Sequence, residues 1–150
     1  MESLRQRTTQ LVAILLIRTE LLIHMKSFKQ TYVIKAPLEK VWQAFFDPRI
    51  IEAWGAGPAI MSEREDAGFS LWGGDIHGKN TRIVKEKELV QTWYGGPWSE
   101  PSKVTFSFSS DGNSTTVELF HENLPDSEAS NFEKGWKDYY LGAIKELLEQ

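Results

Sequence analysis

Two histidines in the body of the chain, His77 and His121, offer the most direct route to acid–base or metal chemistry. Imidazole titrates near neutrality and ligates through either nitrogen. With Glu65, Asp75 or Glu118 they could form a ligand set or a general acid–base pair, and both fall in stretches that read as β-strand. No HxH or HExxH spacing accompanies them, so the plainer reading is a surface or hydrogen-bonded histidine without a metal. Asp75, Arg82 and Glu63 could form a paired polar cluster inside a groove, orienting a ligand's polar head. Their plainer reading is solvated strand charge.

Nucleophile and phosphate patterns are missing. No GxSxG elbow occurs, and Ser99, Ser102 and Ser109 have no histidine at a recognisable partner spacing, which speaks against a serine hydrolase. Gly73-Gly74 and the Gly95–Trp98 stretch match neither GxGxxG nor GxxxxGK[ST] and read as turns, with Trp98 near a groove mouth. The chain contains no cysteine, which removes disulfides, thiolate zinc sites, iron–sulfur ligation and cysteine nucleophiles together. No catalytic residue and no cofactor are expected.

What the sequence has in excess is aromatic area: 12% Phe, Trp and Tyr, with six tryptophans in 150 residues. Such residues fill a large curved sheet or line a ligand groove, bringing apolar area and a polar tip. Trp54, Trp72, Trp93, Tyr94, Phe106, Trp136 and Tyr140, with Arg82 as the polar member, are the candidates to line a cavity. Taken one at a time, core packing is the plainer role for each aromatic residue.

Composition bounds the rest. With 41% hydrophobic and 25% charged residues the chain reads as globular, with one core expected. A formal net charge of -4 and the lack of a basic stripe argue against nucleic acid.

The elements that must position these residues fall into two parts, residues 1–24 and 25–150. In the first, Leu11 to Ile17 is an apolar run behind Arg5 and Arg7, superficially a signal peptide. Arg18 and Glu20 follow at once, no small-x-small site appears, and seven apolar residues fall short of the roughly 20 a spanning helix needs. Neither export nor a membrane span is expected, and the cytoplasm is the expected location. Three readings stay open for this part: an upstream start, an extra helix that packs on a partner, or a tail. From Met25 the sequence runs straight into a strand and helix.

In the second part Phe28 to Ile34 alternates as a strand with Phe28, Gln30, Tyr32 and Ile34 on one side. Ala36-Pro37 opens a helix carrying Val41, Trp42, Phe45 and Phe46; Asp47-Pro48 opens a second, with Ile50, Ile51 and Trp54, stopped by Gly55 and Gly57. Six strand signals follow: Ala59 to Arg64, Gly68 to Trp72, Ile76 to Lys87, Leu89 to Tyr94, Lys103 to Ser109 and Thr115 to His121. Asp126 or Ser127 can cap a long last helix with Phe132, Trp136, Tyr139, Tyr140, Ala143, Ile144, Leu147 and Leu148 on one face. A curved antiparallel sheet gripping that helix satisfies every apolar face.

The stretch Gly135 to Ile144 (GWKDYYLGAI), followed by Lys145, resembles the signature of the activator of heat-shock protein 90 ATPase homologues, in which Gly-Trp precedes two tyrosines and Ile-Lys. APLEKVWQAFFDP, GFSLWGGDIHGKN, KEKELVQTWYGGPW, KVTFSFSSDG and ENLPDSE fall in the same order, so the resemblance spans Phe28 to about Leu148. It implies an α+β helix-grip fold of the START-like, Bet v-like and polyketide cyclase-like kind. Members of that superfamily commonly hold lipids, steroids, polyketides or other apolar molecules between sheet and helix.

Three functions follow as expectations: a non-enzymatic module binding a small hydrophobic molecule, a co-chaperone-like interaction role in the stress response, or a cyclase- or hydrolase-like enzyme. The resemblance implies that in the two-domain co-chaperones of this family a separate N-terminal domain makes the main activating contact, and the expectation is that 150 residues leave no room for one. Monomer and homodimer are both compatible with the sequence.

Overall fold

The computed structural model describes the backbone of residues 4–23 and 25–150 and the side chains of residues 6–15 and 25–150. Residues Leu4–Ile23 form helix α1, on which Leu11, Val12 and Ile14 are exposed. Among the described residues no helix is long and apolar enough to cross a membrane, which says nothing of strands.

The body begins with β1 (Met25–Ile34), whose alternation turns Phe28, Gln30, Tyr32 and Ile34 toward the interior. Helix α2 (Leu38–Phe46) then buries Val41, Trp42, Ala44, Phe45 and Phe46, the aromatic stripe its spacing calls for. Asp47 accepts a hydrogen bond from the Arg49 backbone N–H and opens the short helix α3 (Pro48–Ala53). The Arg49 side chain donates to the same carboxylate and, as the larger cause, holds it below the ordinary aspartate range.

Five strands complete the sheet: β2 (Gly68–Leu71), β3 (Ile76–Val84), β4 (Glu88–Gly95), β5 (Ser102–Asp111) and β6 (Ser114–Pro125). The order is β1-β6-β5-β4-β3-β2, and every pairing is antiparallel. This corrects one expectation. Residues 59–64 make only a single bridge, Ile60 with Ser70, so the sheet has six strands where the sequence signals suggest seven. The Ser62 carbonyl is taken instead by the Asn80 side chain, 2.9 Å away, which ends the ladder there.

The last helix is interrupted. Helix α4 (Asp126–Gly135) runs into a π-helical turn, Trp136–Tyr140, and then into α5 (Leu141–Leu148). Leu141 N–H reaches back to the Trp136 carbonyl, five residues away. Such a turn stacks residue i+4 over residue i, so Trp136 and Tyr140 both face inward, each 2% exposed. Tyr139, expected on the same buried face, lies at its edge and is 66% exposed. The wide turn also presses the Lys137 carbonyl against Gly142, where a β-carbon would overlap it. Only glycine fits there.

Ile144 is fully buried, and the Lys145 ammonium donates to the Val33 carbonyl at 2.5 Å, fastening the helix to β1. Much of the Gly135 to Lys145 signature is therefore architecture: it builds the π turn and ties it to the sheet.

Candidate functional site

Where the π turn faces the sheet, the two do not close on one another. A cavity of about 320 Å³ opens between the Trp72 turn, β3 and β4 on one side and the interrupted helix on the other. Trp72, Asp75 and Ile76 supply one wall and Trp93 the floor. Asn131, Phe132, Gly135, Trp136, Tyr139 and Tyr140 supply the helical wall.

Each wall is held by identifiable bonds. Trp72 has φ of +49°, unusual for a bulky residue, and sits just before Gly73 and Gly74, which also have positive φ. Its backbone N–H donates to the Ala56 carbonyl at 2.8 Å and its indole N–H to the Gly55 carbonyl at 3.0 Å. Trp93 and Trp136 pack 4.7 Å apart, and Tyr140 lies 4.7 Å from Trp136. Burial pushes the Tyr140 phenol far above its ordinary range. The Tyr140 hydroxyl has no hydrogen-bond partner among the described residues.

Beneath the aromatic floor runs a buried polar chain. The Trp136 indole N–H donates to His121 Nδ1 at 3.0 Å, and His121 Nε2 lies 2.8 Å from Ser102 Oγ. Because an indole only donates, His121 Nδ1 accepts, and the remaining ring proton sits on Nε2 and points at Ser102. Ser102 in turn donates to the Trp93 carbonyl at 3.1 Å. On the same inner face Trp93 donates to Gln91, Gln91 to Asn80, and Asn80 to the Ser62 carbonyl. Cross-strand register makes this possible, with Asn80 opposite Gln91 and Trp93 opposite Ser102. Burial lowers the His121 pKa to about 3, so the ring is neutral.

The His121 and Ser102 pair therefore brings together residues nineteen apart that no spacing pattern singles out. Its polarity is opposite to that of a nucleophile and base: the imidazole nitrogen facing the hydroxyl already carries the proton. The hydroxyl is spent on a carbonyl, and both residues are at most 1% exposed.

The structure divides the candidate residues sharply. Trp72, Trp93, Trp136 and Tyr140 line the cavity. Trp54 stands behind them, 4.6 Å from Tyr140, with its indole N–H on the Ala44 carbonyl. Phe106 is fully buried in the core, 5.7 Å from Tyr140, and does not reach the cavity. Tyr94 is on the opposite face of β4 from Trp93, where it stacks on His77 at 5.3 Å. Strand alternation decides this.

Arg82 is likewise outside the cavity. It follows a register shift between Asn80 and Arg82 and pairs with Glu88 at 2.9 Å on the exposed surface. Glu63 is exposed too, so of the three imagined cluster members only Asp75 reaches the site. Glu118 points away from His121, on the outer face of β6. Trp98 rests against Phe132 at 5.2 Å, beside the lining.

Ile76, Asn131, Phe132, Gly135 and Tyr139 are the lining residues outside the sequence candidates. Gly135 is the instructive one. A β-carbon there would meet nothing within 4 Å, so neither packing nor backbone conformation requires glycine in this helix. Among the described residues no group of three or more His, Asp or Glu side chains is placed to hold a metal ion.

Comparisons with known proteins place this geometry. The profile of the family described as Activator of Hsp90 ATPase homolog 1-like protein matches residues 35–149. An activator of 90 kDa heat shock protein ATPase homolog from Dictyostelium discoideum is 41% identical over 107 residues, covering 69% of this chain and 28% of that protein. The human activator homolog 1 is 24% identical over 124 residues, covering 81% of this chain and 36% of its own length. The chain thus spans well under half of these relatives.

Among solved structures, an HSP90 activator from Plasmodium falciparum superposes with a TM-score of 0.76 at 29% identity, covering 82% of this chain and 96% of that one. CalU16 from Micromonospora echinospora superposes with a TM-score of 0.68 at 26% identity, covering 80% and 76%. The profile match runs from the end of β1 past the end of α5, and the helix-grip architecture agrees with it. On that basis the chain belongs to the Activator of Hsp90 ATPase homolog 1-like family.

Proposed function

We propose that this chain is a non-enzymatic helix-grip module of the cytoplasm whose cavity binds a small, largely apolar molecule. Gly135 carries the reading. Glycine inside a helix sacrifices stability of about 0.5–1 kcal/mol relative to alanine. Here it secures no turn and relieves no clash; what it leaves is open space on the helical wall of an aromatic cavity. The neutral, reversed His121 and Ser102 pair supports binding over catalysis.

Tryptophan fluorescence provides the test, because Trp72, Trp93 and Trp136 all border the cavity. Titration with neutral one- and two-ring aromatics should give saturable quenching. Gly135→Leu, which fills the opening, should abolish it while leaving the far-UV circular dichroism unchanged. No saturable response in the native chain, or equal response in Gly135→Leu, would remove the proposal.

A second reading, a chaperone partner, rests on the relatives. One protein described as an HSP90 activator has a solved chain almost wholly covered by this one. The acidic balance of the chain suits a basic docking surface. Adding the full chain to a heat-shock protein 90 ATPase assay should raise turnover; unchanged turnover across a molar excess would exclude that role.

A further inference from the structure

The chemistry of the cavity lining is lopsided in charge. The faces or edges of Trp72, Trp93, Trp136, Tyr139 and Tyr140 border it, together with the Asp75 carboxylate. No lysine, arginine or histidine does. The Asp75 side chain has no ion pair or hydrogen bond among the described residues, so nothing on the protein neutralises it. Aromatic faces carry negative quadrupole density, and tryptophan carries the most. The Tyr140 hydroxyl oxygen, on the lining, adds an acceptor.

Such surroundings repel an anion and give a neutral hydrocarbon only dispersion and burial. They suit a cation whose charge is spread over alkyl groups: weakly hydrated, and able to lie against π faces near a carboxylate. We infer that the occupant preferred by this cavity is an organic cation, an alkylated ammonium group on a small apolar body. The inference rests on the cavity reading above and narrows it to one ligand class. The volume of about 320 Å³ lies at the small end of ligand pockets, fitting a one- or two-ring body better than a long acyl chain.

The deciding experiment compares phenyltrimethylammonium with tert-butylbenzene, its neutral isostere, by tryptophan quenching and by NMR shifts of the indole N–H groups. The full-length chain should bind the cation at least about tenfold more tightly. Asp75→Asn, an exposed change that breaks no protein contact, should weaken the cation several-fold and leave the hydrocarbon unchanged. Gly135→Leu should block both.

Equal affinity for the two probes would overturn the cation inference and leave the apolar-cavity reading standing. Binding of neither would end both. A cation preference that survives both Asp75→Asn and Gly135→Leu would put the cation elsewhere on the protein and overturn this site.

Discussion

Two aromatic clusters meet at Phe106 and Tyr140, and they have opposite fates. Under α2, Trp42, Phe45, Phe46, Phe106 and Phe108 pack ring against ring, with Phe45 4.9 Å from Phe106 and 5.0 Å from Phe108. Under the π turn, Trp72, Trp93, Trp136 and Tyr140 are equally large and mostly as buried, yet they border empty volume. Ring area alone does not separate them, although phenylalanine dominates the first and tryptophan the second. What differs is the covering element: a regular helix with a full apolar stripe over the first, and a helix with a glycine and a widened turn over the second.

The contrast implies an ordering of mutational effects. Phe45→Ala, in the closed cluster, should cost about 3–5 kcal/mol in chemical denaturation, because its neighbours cannot collapse into the space. A cost below about 1 kcal/mol would mean that this cluster is also loosely packed.

Next comes acid. In the folded chain His121 has its pKa lowered to about 3 by burial, against an unfolded value of 6.5. The unfolded chain therefore takes up a proton at this residue before the folded one does. Its contribution is intact above pH 6.5 and is lost as pH falls toward 3, by up to about 1.4 kcal/mol per pH unit. His121→Asn should flatten that slope in urea melts while lowering stability at pH 7. An unchanged slope would show that the ring is not held neutral beneath Trp136.

Smaller effects distinguish the two glycines of the helix. Gly142→Ala meets the Lys137 carbonyl and should cost about 1–3 kcal/mol. Gly135→Ala meets nothing and should raise stability by about 0.5–1 kcal/mol. If Gly135→Ala destabilises instead, the glycine serves the fold and the opening beside it is incidental.

Much of this is legible in the amino-acid pattern. The alternation of Val104, Phe106 and Phe108, the cap at Asp47, and the stripe of Val41, Trp42, Phe45 and Phe46 specify strands and helices that form as read. These are local patterns, each decided within a few residues. The strand suggested for residues 59–64 failed because a distant side chain, Asn80, captured the carbonyl it needed. Arg82 and Tyr94 failed as cavity residues because a bulge and strand alternation set their faces.

By itself, the sequence determined the order of elements and the supply of aromatic rings, because periodicity and composition are local or additive; the family rests on the resemblance of the Gly135 to Lys145 stretch and its companion motifs. Only the tertiary structure decided which rings enclose space. It did so through cross-strand register, which placed Trp93, Ser102 and His121 in one chain of hydrogen bonds. The π turn did the rest, burying Trp136 and Tyr140 and leaving Tyr139 largely exposed at the cavity's edge. Those outcomes depend on contacts between residues far apart along the chain, and no local pattern encodes them.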